Sequence, residues 1–406
     1  MVSSSVYFGS MQSRSLAPEH SFAAKFTHVV EKLGVENRVK DKSVLIKMHL
    51  GVNVGFSTVN PFLVRLLVSK IQKAGGNPFI ADSIECFRGA SSRGYTQEVV
   101  GCPVFPIAGP TDNYFVKREL NYKNVDEVEM GGLFKDAEVL VTLSHAKGHN
   151  TVGFGGAIKN LALGGFTART RSKMHTVMQY DKYWSQEKCG DPGLHVGACP
   201  YGAISISKKT GGIRIDFDSC NQCRRCVEGN PHGCLEINPA NFQAFQELMA
   251  LTTREALANF GRDDRFFISV ATDIMPVCDC WGITTGSILD DLGVLGSTDP
   301  VALDKATLDM LAGKSLITEN VPQSMEIIDA DGLHPFQRIH GPYKDPYGVI
   351  DYASRLGLGS REYAVEEVIP QEKVRELSHA RFPKPAARSS IKRSDGAGFA
   401  GSGDTV

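Results

Sequence analysis

Two cysteine-rich segments lie close together in the middle of the chain. The first reads Cys189-Gly-Asp-Pro192-Gly-Leu-His195-Val-Gly-Ala-Cys199-Pro200, and the second reads Cys220-Asn-Gln-Cys223-Arg-Arg-Cys226-Val-Glu-Gly-Asn230-Pro231. In the second segment three cysteines follow one another at intervals of two residues. This spacing is typical of chains that hold inorganic iron and sulfur between thiolates.

A bacterial ferredoxin repeat, C-x2-C-x2-C-x3-C-P, underlies both segments, and the fourth cysteine of each repeat ligates the cluster of the other. The second segment has Asn230 at its fourth position, and the first has Pro192 and His195 at its second and third. Crossed ligation therefore leaves one complete set of thiolates. We predict one [4Fe-4S] cluster where the full motif would hold two. Its ligands are Cys199, Cys220, Cys223 and Cys226.

Zinc is the alternative ligand of these cysteines, because zinc knuckles use C-x2-C pairs. Three cysteines at successive intervals before a distant Cys-Pro favour a cluster instead. Cys189 and Cys234 are left over, and either bind a different metal or pack as buried thiols. Residues 204–207 and 213–217 alternate apolar and polar around a Lys-Lys-Thr-Gly-Gly turn, which predicts a hairpin. We therefore expect a ferredoxin-like α+β insert over residues 181–238.

The overall composition is that of a soluble globular protein. The 406 residues are 42% apolar and 22% charged, with a net charge of -1, which gives no support for a nucleic-acid or anionic-membrane partner. The apolar runs are shorter than a membrane-spanning helix, and the start of the chain lacks the features of a signal peptide. Ten cysteines, several at metal-binding spacing, favour a reducing compartment. We expect a cytoplasmic protein.

The flanking sequence alternates strands and helices. A nearly continuous apolar strand at 43–49 precedes a helix opened by Asn60-Pro61 and ended by Gly75-Gly76, and a second strand follows at 77–83. This order predicts an α/β fold with a mostly parallel sheet and helices on both faces. The main domain then consists of residues 1–180 and 239–381, interrupted by the insert. Residues 382–406, rich in Pro, Ser, Gly and basic residues, are predicted to be a disordered tail.

Several polar side chains stand at or just after predicted strand ends, where ligands bind in open parallel sheets. They are His49, Asp82, Ser83, His145, Lys147, His149, Asp273, Cys278 and Cys280. The two cysteines lie two residues apart and would point the same way in an extended chain. With His145 or His149 they would form a sulfur–nitrogen set that suits zinc or iron. Redox-active thiols or plain packing are the alternatives.

A second group of candidates follows the strand at 137–143. The glycine-rich run before Lys159 offers backbone N–H groups to an anion, but it lacks the P-loop spacing, and a tight turn with an exposed lysine is the alternative. His175 is a candidate general acid. The basic residues nearby form either a clamp for an acidic substrate or a solvated face. The candidate catalytic residues are thus His145, His149, Lys159 and His175.

Four motifs in this region resemble the iron–sulfur family known as domain of unknown function 362. They are Ser144-His145-Ala-Lys147-Gly148-His149, Gly155-Gly156-Ala-Ile-Lys159-Asn160, Cys278-Asp279-Cys280 and Ser297-Thr-Asp299-Pro300-Val-Ala-Leu-Asp304. The resemblance implies the α/β architecture with a ferredoxin insert, which commonly has both cluster motifs intact. It leaves the reaction open.

Together these patterns predict a redox role. A [4Fe-4S] cluster would pass electrons to a substrate or second metal near Cys278 and Cys280, and the protein would be a reductase fed by ferredoxin or a similar donor. The second hypothesis is a non-catalytic protein for electron transfer or for iron–sulfur or metal trafficking. The third is a non-redox enzyme with a structural cluster.

Overall fold

The computed structural model describes residues 3–180, 182–217, 219–220, 223–228 and 233–368. Asn230, Pro231 and the predicted disordered tail at 382–406 lie outside the described residues. Among those described, no helix is both long enough and apolar enough to cross a membrane.

The described residues form fourteen strands. They are β1 (Ser4–Ser10), β2 (Ser43–Met48), β3 (Asn77–Asp82), β4 (Val104–Pro106), β5 (Phe115–Tyr122), β6 (Val125–Gly131), β7 (Val139–His145), β8 (Lys147–His149), β9 (Gly153–Gly155), β10 (Ile204–Ile206), β11 (Ile213–Ile215), β12 (Arg265–Ala271), β13 (Gly293–Ser297) and β14 (Tyr363–Glu367).

Eight of these strands make one twisted sheet in the order β14-β1-β13-β12-β7-β2-β3-β4. Only β13 runs antiparallel to its neighbours β12 and β1. The remaining pairings in the sheet are parallel. The predicted α/β fold with a mostly parallel sheet is confirmed.

Thirteen α-helices connect and cover the strands in the described part of the chain. They are α1 (Phe22–Leu33), α2 (Pro61–Lys73), α3 (Ile84–Arg88), α4 (Gln97–Val100), α5 (Leu133–Asp136), α6 (Ala157–Ala162), α7 (Ala168–His175), α8 (Gly193–Gly197), α9 (Arg225–Glu228), α10 (Pro239–Leu257), α11 (Pro300–Ala312), α12 (Pro335–His340) and α13 (Gly348–Arg355).

Helices lie on both faces of the sheet because successive strand residues point to opposite sides. In β2, Val44 and Ile46 join the core formed with α1 and α2. Leu45, between them, joins the other core, to which α6, α10 and α11 contribute. Burial of both faces explains why the central strands read as continuous apolar runs.

The helix ends follow the predicted signals. The Asn60 side chain accepts a hydrogen bond from Phe62 N and Pro61 opens α2, while Asp299 caps Val301 N and Ala302 N at the start of α11. Caps of this kind satisfy backbone donors that have no partner within the helix.

The segment between α7 and α10 contains the predicted hairpin. β10 pairs with β11 in antiparallel register, with Ile204 opposite Ile215. Two short helices, α8 and α9, flank it, and an antiparallel bridge joins Trp184 to Leu235. The ferredoxin-like character of this segment and its domain limits stay predictions.

Candidate functional site

Four neighbouring parallel strands end at one edge of the sheet and bring their polar residues together. His49 follows β2, Asp82 ends β3, His145 ends β7 and Cys278 follows β12. Because these strands are adjacent in the order β12-β7-β2-β3, His49, Asp82, His145 and Cys280 line one cavity of about 130 Å³. Cys278 lies next to His49 and Cys280. This edge is where ligands bind in open parallel sheets.

Asp82 orients the histidine of the site. Its carboxylate accepts from the Nδ1 atom of His49 at 3.0 Å and from Leu50 N at 3.0 Å, and it pairs with the buried Lys47 ammonium at 2.9 Å. Burial opposes a charge there, but Lys47 and His49 hold the pKa of Asp82 well below its usual range. With Nδ1 committed to Asp82, the Nε2 atom of His49 lies 3.7 Å from the sulfur of Cys278.

Three donor atoms meet at this point. One ring nitrogen of His49 and the sulfurs of Cys278 and Cys280 lie within 4.8 Å of one another. Cys278 is buried and Cys280 is exposed, so one side of the group faces solvent. A Cys₂His set with an open position is one of the arrangements of catalytic zinc, and its ligating histidine usually has a carboxylate behind it, as His49 has Asp82.

A second group of donors, His49, Asp82 and Cys86, also lies within 4.8 Å. The Nδ1 atom of His49, 3.5 Å from the Cys86 sulfur, already donates to Asp82. The Asp82 oxygens are in turn occupied by Lys47 and Leu50. An ion is therefore favoured on the Nε2 side, with Cys278 and Cys280.

The thiolate form of Cys278 is stabilised by its surroundings. Lys159 donates to its sulfur at 2.9 Å, and Cys280 N donates at 3.3 Å. Burial would raise the pKa of Cys278, but the hydrogen bond from the Cys280 thiol and the charge of Lys159 bring it well below its ordinary value. The pKa of Cys280 is raised by its hydrogen bond to Cys278. Binding of an ion would release the Cys280 proton, because metals bind thiolates.

His149 supports the thiolate and does not present a lone pair to an ion. Its Nδ1 atom accepts from Thr151 N at 3.0 Å and from Val152 N at 3.3 Å, so the proton of the neutral ring is on Nε2. Burial lowers the pKa of His149 to about 4, against the opposing effect of Cys278. Nε2 is buried and makes no conventional hydrogen bond to the described residues. It can donate towards Cys278.

His145 supports the turn that holds the two cysteines. Its Nε2 atom donates to Thr272 O at 2.8 Å, and its Nδ1 atom lies 3.1 Å from both oxygens of Asp279. Because both partners are acceptors, both ring nitrogens donate. Lys147 pairs with the same carboxylate at 2.9 Å. Burial opposes a charge on Asp279, but Lys147 and His145 hold the pKa of its carboxyl group below its ordinary value. His145 thus has no nitrogen left for a metal.

Lys159 is placed by α6, whose first turn is held by Asp304. The Asp304 carboxylate accepts from Ala157 N at 2.8 Å and from Ile158 N at 2.9 Å, and burial raises its pKa to about 7. A side chain at Gly156 would come within 2.4 Å of this carboxylate. The backbone N–H groups at the start of α6, which were predicted to bind an external anion, therefore donate to the Asp304 side chain. Lys159, for which an exposed position was the alternative, is buried.

The opposite wall of the cavity is basic. Arg171 and His175 line it from α7, and Arg171 pairs with Glu85. The His175 ring packs against Phe245, with centroids 4.9 Å apart. Arg169 points elsewhere, to Glu129 at 2.9 Å.

The four cysteines of the predicted cluster line a separate small cavity, together with Ile204, Ile215 and Ile237. Burial, and then the charges of Cys220, Cys223 and Cys199, raise the pKa of Cys226 to about 12. Among the described residues, these sulfurs are not among the groups of three donors that lie within 4.8 Å of one another.

Lys344 lies between the two sites. It is fully buried and donates to Asn150 O, in the turn after His149. Burial lowers its pKa to about 7, and Cys220 and Cys223 act in the opposite direction. One ammonium group thus interacts with both the insert and the sheet-edge site.

A larger open groove of about 680 Å³ lies at the opposite edge of the sheet. It is lined by Arg38, Arg254, Arg262 and Arg265, among others, and by no cysteine or histidine. The groove therefore offers no thiol or imidazole ligand to a metal.

These features define an α/β protein whose Cys/His groups can hold a metal ion. The chain belongs to the family described as Domain of unknown function (DUF362), which residues 44–309 match. The predicted family is confirmed. No curated protein matches the sequence.

Two solved structures are similar in part. The lactate racemase apoprotein from Thermoanaerobacterium thermosaccharolyticum matches 66% of this chain and 50% of its own, with 12% identity and a TM-score of 0.31. A crystal structure of a Thermotoga maritima protein matches 64% of this chain and 52% of its own, with 11% identity and a TM-score of 0.30. The chain spans about half the length of each.

The structure thus brings Cys278, Cys280 and Lys159 together as one group, with His149 beside it. His175 lines the same cavity. His145 contacts Asp279, the residue between the two cysteines. The sequence assigned no role in metal binding to His49 and did not identify Asp279 as the charge partner of His145. The position of His49 at a strand end was the one available signal.

Proposed function

We propose that this protein is an iron–sulfur reductase. One [4Fe-4S] cluster, held by Cys199, Cys220, Cys223 and Cys226, would supply single electrons, and the group formed by His49, Cys278 and Cys280 would hold the metal or substrate that receives them. The observation that carries the proposal is the convergence of the four cysteines on one cavity, linked through Lys344 to the sheet-edge site.

The residues of the insert fit a cluster better than a single ion. Four thiol groups face one cavity with isoleucine walls, and apolar surroundings and charge are among the properties that tune such a cluster. The buried Lys344 offsets part of the negative charge that four thiolates bring. It also donates to Asn150 O, and the neighbouring His149 side chain interacts with Cys278.

The sheet-edge group fits a metal ion that keeps an open position. Asp82 fixes His49, Lys159 and His149 support the Cys278 thiolate, and Cys280 faces outward. The lining also includes Lys147 and Arg171, which pair with Asp279 and Glu85. We propose a small anionic substrate, which would compete with these carboxylates for the two cations. His175, in the same cavity, is the proposed general acid.

A ferredoxin-type donor is proposed because the cluster requires a one-electron source.

The test is anaerobic turnover, in which reduced ferredoxin supplies electrons and a panel of small carboxylate and oxyanion acceptors consumes them. We expect turnover in the wild type and its loss in two variants. Cys223→Ser should lose the cluster, and Cys278→Ser should keep the cluster signal but lose oxidation by the acceptor.

Two other outcomes would overturn the proposal. Transfer of the intact cluster to an apo-ferredoxin, without consumption of any acceptor, would identify a carrier or trafficking protein. A folded Cys223→Ser variant with full non-redox activity would identify a structural cluster. Cys102→Ser is the matched control, because Cys102 is buried in the core on the α1 and α2 face of the sheet.

A further inference from the structure

We propose that Cys189, His195 and Cys234 bind a single zinc ion beside the four-cysteine cavity. The two cysteines are those that the cluster assignment leaves unused, and His195 stands where a ferredoxin repeat would have a cysteine. The proposal concerns a third site and does not depend on the reductase function.

The three donor atoms are close enough for one ion. The nitrogen of His195 and the sulfurs of Cys189 and Cys234 all lie within 4.8 Å of one another, and His195 Nε2 is 3.0 Å from the Cys234 sulfur. A tetrahedral zinc ion, with bonds of about 2.0 to 2.3 Å, holds its donors about 3.5 to 3.8 Å apart. Small side-chain shifts convert one spacing into the other.

The histidine is oriented as a metal ligand. Its Nδ1 atom donates to Cys226 O at 2.6 Å, so Nε2, on the side of Cys234, is the nitrogen that would bind an ion. A ligating histidine commonly donates its other N–H to a backbone carbonyl. The ring is further fixed by an edge-to-face contact with Trp184, with centroids 6.1 Å apart.

Separate parts of the chain converge on the site. Cys189 follows a 3₁₀ turn, His195 lies in α8, and Cys234 stands beside the bridge between Trp184 and Leu235. Ser185 N donates to Cys234 O at 2.8 Å. His195 and Cys234 are buried, whereas Cys189 is partly exposed, so the fourth position of the ion would be on the solvent side.

Zinc is favoured by the donors, because two thiolates and one imidazole suit it and the set cannot hold a cubane. Zinc has no redox chemistry. An ion here would support the first half of the insert where a ferredoxin has its second cluster, and electrons would have one cluster available instead of two.

The test is the zinc and iron content of protein purified without oxygen from zinc-supplemented cells, measured by mass spectrometry. We compare wild type with the Cys189→Ser/Cys234→Ser double variant and with Cys102→Ser as control. We expect the double variant to hold one zinc fewer per chain with unchanged iron, and Cys102→Ser to equal wild type. The result is the difference in zinc content between the variants and the wild type. The absolute zinc content is not used, because His49, Cys278 and Cys280 can hold a second ion.

His195→Gln keeps both thiols and guards against misfolding. We expect it to release zinc to a chelator about tenfold or more faster than wild type, with the same circular dichroism spectrum. Equal zinc in wild type and double variant, or a loss of iron in place of zinc, would overturn the proposal.

Discussion

Lys159 donates a hydrogen bond of 2.9 Å to the sulfur of Cys278, and both side chains are buried. An ammonium and a thiolate removed from water stabilise each other strongly. Since α6 and the Asp304 carboxylate fix the lysine, the fold favours the thiolate form of Cys278 before any ion binds. The donor set at the sheet edge is therefore preorganised.

Replacing this lysine should weaken metal binding. In Lys159→Met the Cys278 thiolate loses its charge partner, and we expect the affinity for Co²⁺ at pH 7 to fall by about 10- to 100-fold. Competition with a chromophoric chelator measures the change. Lys305→Met, which removes a lysine paired with Asp309 at 2.5 Å, should leave the affinity unchanged. Equal affinities in both variants would refute the role of Lys159.

Asp82 should have separate effects on stability and on metal affinity. Asp82→Asn leaves the Lys47 ammonium buried without its anion, which should cost about 3 to 5 kcal/mol in the free energy of unfolding. It also removes the carboxylate behind His49, which should lower Co²⁺ affinity by about 10- to 100-fold. Denaturant unfolding and cobalt binding measure the two effects.

The Lys47→Met/Asp82→Asn double variant distinguishes the effect of Asp82 on stability from its effect on metal affinity. Removing both charges should restore most of the stability but none of the metal affinity, because His49 remains unsupported. Recovery of both would show that the carboxylate acts on the fold alone.

Acid should destabilise the protein through buried histidines. Burial lowers the pKa of His334 to about 4, from about 6.5 in an unfolded chain. Between these values the unfolded state binds the proton first, so the contribution to stability is complete above pH 6.5 and is lost as the pH falls towards 4. From pH 7 to pH 5 the loss is about 2 kcal/mol for this residue.

His334→Asn should remove that share of the pH dependence. The Nδ1 atom of His334 caps α12 by accepting from Phe336 N at 3.1 Å, and asparagine is also a good cap. Chemical denaturation at pH 7 and pH 5 gives the comparison. An identical loss of stability in wild type and variant would contradict the assignment.

Lys344 should set the reduction potential of the proposed cluster. Its buried ammonium favours the extra negative charge of the reduced state, so Lys344→Met should shift the midpoint potential to a more negative value. A redox titration followed by electron paramagnetic resonance measures the shift, with Lys305→Met as control. A potential unchanged in Lys344→Met would place the lysine outside the cluster's electrostatic environment.

Much of the fold follows from local signals. Asn60-Pro61 and Gly75-Gly76 delimit α2, and apolar strands on either side require a sheet covered on both faces. β13 and β14 carry weaker signals, because Gly293–Ser297 has glycine at two of its five positions and Tyr363–Glu367 is mostly exposed. Their places depend on pairing with β1, which no local pattern encodes.

The candidate metal ligands also divide into those that the sequence indicates and those that only the fold brings together. The cysteine spacing in the insert is periodic and can be recognised directly. The partnership of His49 with Cys278 joins residues 229 positions apart, and it depends on the order of strands across the sheet. His145 is nearer in the sequence, but Asp279 and Thr272 occupy its ring nitrogens, a fact that only the three-dimensional contacts reveal.

The central claim is that one cluster, held by Cys199, Cys220, Cys223 and Cys226, is present in each chain. The most direct measurement is the iron and acid-labile sulfide content of protein purified without oxygen, together with the electron paramagnetic resonance spectrum of the reduced form. We predict about four iron and four sulfide per chain and the signal of one [4Fe-4S] cluster, all lost in Cys223→Ser. About eight iron per chain, or zinc in place of iron at these cysteines, would contradict the account.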